Sequence, residues 1–310
     1  MPFLAGPVVA GSSIWIAGVL ALSVQLFLVP RGALREISQK YVVPFAPRGF
    51  LGRQRRYDNG VANESTWCGP RRMPVSAYRI WWLIWLLLIV AGVWLILLGS
   101  VDAFQAYARP NDQMVAGVLM ALTWVCAAAW TPLYVQDRQW AFWAASAFLL
   151  LGAVLSITAL IVLRPWSDYN AVTVVIIGLA YSIFSGWICV AATLSVCTAI
   201  ISGKRGAVRD ADSEEWLYGF IPVVVSGSLG LFQCILGDPC LTLPYLWALF
   251  FTPGLLKPFE QSWKLWLAAG ICVLCSVVGG FVILAWQPAA IAAGTAAPPV
   301  PPLPPPSPPQ

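Results

Sequence analysis

All 31 charged side chains of this 310-residue chain lie outside a series of apolar runs, each about as long as a bilayer is thick. The stretch Ile80–Leu98 carries Trp81, Trp82, Trp85 and Trp94 among Leu, Ile and Val, with no charge and no polar face. Crossing the hydrocarbon core takes about 20 apolar residues at ~1.5 Å each. A backbone in lipid must satisfy its own hydrogen bonds, which favours helix. The expected fold is therefore all-α, a polytopic transmembrane helical bundle. Charged residues make up 10% of the chain. Soluble domains carry about 25%, so the chain lacks the polar surface to stay in water.

Eight spans are expected, near 9–29, 78–99, 114–135, 140–163, 171–201, 216–236, 241–256 and 264–286. The seventh is short and has Pro244 and Pro253 near its ends. If it does not cross, seven spans remain. Three regions follow: a five-helix unit over 1–202, three transmembrane or re-entrant segments over 203–287, and a Pro-rich extended tail over 288–310.

Loop 30–79 holds ten Lys and Arg against three acids, which places it on the cytosolic side. With eight crossings, 16 basic residues share that side and only Arg109 and Arg164 oppose them. Both termini then face the other way, and the sequence does not say in which membrane. The sequon Asn63-Glu64-Ser65 falls in the cytosolic loop, away from glycosylation. Without Lys or Arg before Arg31, the first apolar run reads as a retained span.

The chain has no His, the commonest metal ligand and general base. No phosphate cradle, nucleophile elbow or metal-ligand cluster is written in it, so it reads as a non-enzyme with no assigned cofactor. Most of its eight Cys, including Cys272 and Cys275, sit within apolar runs as small hydrophobes. Cys234 and Cys240 flank a Gly-Asp-Pro turn on the outer side, where a disulfide could form. Asp102, Asp112, Asp137, Asp168 and Asp238 read as solvated turn or cap residues. The acidic run Asp210–Glu215 suits the start of the sixth span, where it complements the helix dipole.

Nine of the last thirteen residues are proline, which favours an extended polyproline rod. The tail reads either as a disordered, solvated terminus or, more sharply, as a contact element for the aromatic-lined groove of a protein partner or an outer matrix. Membrane lipids are the other expected partner, the basic loop meeting anionic headgroups. Nucleic acid is not expected. A homo-oligomer or a place in a larger complex is compatible with the apolar faces.

The 17 Trp divide into two sets. Trp15, Trp81, Trp82, Trp140, Trp166, Trp216, Trp263 and Trp286 lie near span ends, as in an aromatic belt. Trp85, Trp94, Trp124, Trp130 and Trp187 lie deeper and need helix packing or a ligand.

Three passages carry a family resemblance. They are Ala77–Leu88 with its Trp-Trp-Leu-Ile-Trp, Ala121–Trp130 with its two Trp, and Tyr181–Leu194 with its Gly186-Trp187 and Ala192-Thr193. Together they resemble the second to fifth spans of the tryptophan-rich sensory protein, or translocator protein (TspO-like), family in its longer eukaryotic form. The likeness covers about 10–202. It implies a cavity among five helices for a tetrapyrrole- or sterol-like ligand, with Trp82, Trp85, Trp124, Trp130, Tyr181 and Trp187 nearest to it. The sequence departs from the pattern in the first loop, where Tyr41–Pro47 is a loose echo, and near Ser195, where the family carries Asn. The competing expectation is a structural protein that anchors an outer or multi-subunit assembly through its tail.

Overall fold

The computed structural model describes residues 5–28, 80–166, 171–203, 221–250 and 267–281. Every regular element among them is helical. The basic loop, the sequon, Asp168, the acidic run, Lys257, Lys264 and the Pro-rich tail lie outside the described residues.

Five helices are long and apolar enough to cross a membrane. They are α1 (Ala5–Leu28), α2 (Ile80–Ser100), α3 (Pro110–Tyr134), α4 (Gln139–Leu163) and α5 (Leu179–Gly203). Pro110 opens α3 at a position where its missing N–H costs nothing, and Arg109 pairs with Asp112 across that first turn. A four-residue link joins α3 to α4, with Asp137 at a left-handed φ of 53°. A π-helical turn, Val174–Gly178, leads into α5, so that the fifth apolar span runs Val174–Ile200. Downstream lie the shorter helices α6 (Ile221–Leu236), α7 (Leu243–Phe250) and α8 (Leu267–Phe281). Five crossings are thus supported by length; the expected total of eight is not established.

The five long helices close into a ring in the order α1–α2–α5–α4–α3. Lipid tails are as apolar as Leu, so such helices associate through close packing and internal hydrogen bonds. Small side chains supply the packing. Gly117 of α3 meets Ala10 of α1 so closely that an added Cβ would strike the Ala10 Cβ. Hydroxyls supply the bonds: Ser146 of α4 and Ser195 of α5 lie 3.0 Å apart, and Trp94 of α2 donates to Thr173 at 3.1 Å. Ser195, the position where the family pattern has Asn, is therefore an interhelical contact. Ser146→Ala is expected to cost about 0.5–1 kcal/mol, the usual worth of such a bond between membrane helices. Denaturant unfolding in mixed micelles measures it.

The fifth span is the most enclosed, with 72% of its most apolar stretch buried against 33% for the second. The reason lies downstream. α6 and α7 are joined by a turn, Gly237–Thr242, that rests on α5. Gly186 permits this: an added Cβ would collide with the Leu241 carbonyl oxygen and lie 3.0 Å from Pro244.

Candidate functional site

Aromatic side chains from three helices meet inside the ring. Trp81 and Trp85 are four residues apart on α2 and therefore share a face. Trp124 comes from α3, and Phe184 and Trp187 are one turn apart on α5. The Trp124 ring lies 4.6 Å from Trp85, stacks on Phe184 at 4.9 Å and stands 6.1 Å from Trp81. Trp81 meets Trp187 edge to face at 6.0 Å. Offset, tilted and edge contacts of this kind are the favoured aromatic geometries. Trp124, Phe184 and Trp187 are all buried.

The cluster is incomplete in its hydrogen bonding. The indole N–H groups of Trp124 and Trp187 are buried without an acceptor, and the Ser185 hydroxyl on α5 is also unpaired. A buried polar group left unsatisfied costs about 1–3 kcal/mol, so most find partners. Here the two unpaired indole N–H groups belong to rings of the cluster itself. The arrangement offers flat apolar surface and neutral donors, and the five rings include no titratable side chain.

Of the six residues expected near a ligand, Trp85, Trp124 and Trp187 join this cluster. Tyr181, 1% exposed, is buried on α5 one turn before Phe184 and Ser185. Trp130 does not join: it packs on Tyr134 at 5.1 Å, six residues along α3, with its own N–H unpaired. Trp82 points the other way and is 78% exposed on the outside of the ring. Trp81, read from the sequence as a belt residue, takes the inward position instead. A helix apolar on every face gives no phase signal to separate the two neighbours. Trp15, Trp82 and Trp140 do stand on the outer surface, where a belt residue belongs.

The Cys234–Cys240 disulfide that the spacing allows is not formed, and both thiols are free. Cys234, in the last turn of α6, points to Cys275 of α8 and hydrogen-bonds its thiol. Cys240 is held by its backbone N–H, which donates to Asp238 at 2.7 Å.

Asp238 itself departs furthest from expectation. It is no solvated turn residue: it is 0% exposed. Its Oδ2 accepts the Ser182 hydroxyl at 2.5 Å, and its Oδ1 accepts the N–H of Cys240 and of Leu241, the latter at 3.2 Å. Trp166 donates to the same Ser182 oxygen at 3.2 Å. Burial raises the Asp238 carboxyl to about 6, against the opposing pull of these donors. Gln113, near the start of α3, was also not foreseen; it is buried with both amide atoms unpaired. Among the described residues no group of three Cys, Asp or Glu is placed to hold a metal ion. Comparison of the chain with protein-family models, with curated proteins and with solved structures gives no match, so the site stands on its own geometry.

Proposed function

We propose that this protein is a non-enzymatic integral membrane protein that binds or senses a flat lipophilic ligand in its Trp-lined interior. The proposal includes membership of the TspO-like family, with loop 30–79 on the cytosolic side. One observation carries it: two buried indole N–H groups lack partners within a packed aromatic cluster. A ligand with a conjugated or fused-ring body and an acceptor atom would satisfy both the ring faces and the donors. A tetrapyrrole or a sterol meets that description. The contact residues in this reading are Trp81, Trp85, Trp124, Phe184 and Trp187, with Trp82 and Trp130 left out.

Titration of the detergent-solubilised protein with a porphyrin, corrected for inner-filter effects, is expected to quench Trp fluorescence saturably. Trp124→Leu and Trp187→Leu are expected to weaken binding at least tenfold, the loss of one ring face and one donor being worth about 1.4 kcal/mol or more. Trp82→Leu, on the outer surface, is expected to leave the affinity unchanged. Linear quenching, or equal loss in all three variants, would remove tetrapyrrole binding from the reading and leave a sterol titration to decide it.

A further inference from the structure

The turn between α6 and α7 brings an ionisable group to the middle of the bundle. The fifth span, Val174–Ile200, has its midpoint at Trp187. The Leu241 carbonyl sits on Gly186, next to that midpoint, and Asp238 reaches Ser182, five residues or about 8 Å along the axis. α8 closes the other side. The Thr242 hydroxyl donates to the Cys272 carbonyl at 3.1 Å, and an added Cβ at Gly279 would stand 2.6 Å from the Asp238 carbonyl oxygen. Ionisable side chains at such depth are costly to bury and mark sites of proton or ion handling. Interrupted helices that meet within a membrane are a usual place for them.

A buried carboxyl can pair with a cation, hold a metal ion or take a proton. The described groups around Asp238 include no cation. They are Ser182 from α5, Trp166 from the segment after α4, Gln233 and Cys234 from α6, Cys240 and Leu241 from its own turn, and Cys275, Ser276 and Gly279 from α8. None is charged, and the titratable ones are the thiols of Cys234, Cys240 and Cys275. A metal ion finds too few ligands, since among the described residues no group of three Cys, Asp or Glu is placed to hold one. A proton needs no rearrangement. Placed on Oδ2, it donates to the Ser182 oxygen, whose own hydrogen turns to a carbonyl of the preceding helical turn, as serine does within helices. Oδ1 keeps both of its N–H donors.

We propose that Asp238 is a proton-binding site within the membrane, formed where the α6–α7 turn meets α5. Binding and release of that proton change the bond between the turn and Ser182. The sign follows from burial: the carboxyl sits above its ordinary range at about 6, so the proton strengthens the docked state. That stabilisation is complete below the ordinary carboxylate range and is lost as the pH rises through about 6.

The test is pH-difference infrared spectroscopy on the full chain in lipid vesicles. A protonated-carboxyl stretch titrating near pH 6 is expected in the native protein and absent in Asp238→Asn. Ser182→Ala, which removes a bond that favours the charged form, is expected to raise the proton affinity about tenfold and move the midpoint up by about one unit. A carboxyl band that persists in Asp238→Asn, or a midpoint unmoved in Ser182→Ala, overturns the proposal.

Discussion

Gly186→Val is expected to lift the α6–α7 turn off α5. The new Cβ would collide with the Leu241 carbonyl oxygen and crowd Pro244, and neither obstacle is the far end of a flexible side chain. Overpacking usually costs about 1–3 kcal/mol, and more where the neighbour is backbone. The carboxyl of Asp238 would lose Ser182, and its charge would be left without that donor. Cys240 provides the readout. In the native protein, burial and the neighbouring Asp238 charge push its thiol up to about 12. Only the thiolate attacks an alkylating reagent. Release of the turn returns the thiol toward its ordinary range and raises the labelling rate by up to about a thousandfold, one factor of ten per unit. Peptide mapping after maleimide treatment separates Cys240 from the other seven Cys. An unchanged rate at Cys240 in Gly186→Val would show that the turn does not rest on α5.

Trp124→Ala is expected to be the costliest single truncation in the ring. Its indole touches Trp81 and Trp85 on α2 and Phe184 on α5, so removal opens a hole shared by three helices. Truncating a buried Trp typically costs about 3–5 kcal/mol, part of it transfer from water and part the cavity left behind. Between membrane helices the transfer part is small and the packing part remains. Removal also frees the structure of one unpaired N–H. The net expectation is about 2–3 kcal/mol, read by unfolding in mixed micelles. Trp124→Phe keeps most of the packing and discards the orphan donor, so it should cost less than 1 kcal/mol. A large loss in Trp124→Phe would mean that the indole N–H has a partner after all.

The spans were legible in the sequence because lipid leaves the backbone no choice but to bond within its own segment. The first five expected runs overlap the five long helices, and Trp85, Trp124 and Trp187 were rightly read as deep. What the sequence does not encode is which side of each helix faces inward. In water a polar stripe marks the outside; here the outside is as apolar as the core, and only the structure separates Trp81 from Trp82. Distance along the chain hid the rest. Gly237-Asp238-Pro239 has the composition of a surface turn, and nothing local to it reveals that Ser182, 56 residues earlier, will cover it. The same holds for Cys234, whose neighbour Cys275 lies on a different helix rather than across the turn. The length of α7 was harder still, with Pro244 and Pro253 bounding a run that suits either a short helix or a crossing.

The π-helical turn at Val174–Gly178 makes the fifth helix one residue richer than a regular α-helix of the same rise. Inside an ordinary helix, losing a residue swings everything beyond it by about 100° and exchanges inner for outer faces. At this turn the loss would restore regular winding. Thr173, bonded to Trp94, and Ser182, bonded to Asp238, sit on opposite sides of it. The surplus residue therefore sets the angular offset between the two anchor points of α5, so the end that holds α2 and the middle that holds the α6–α7 turn are indexed independently.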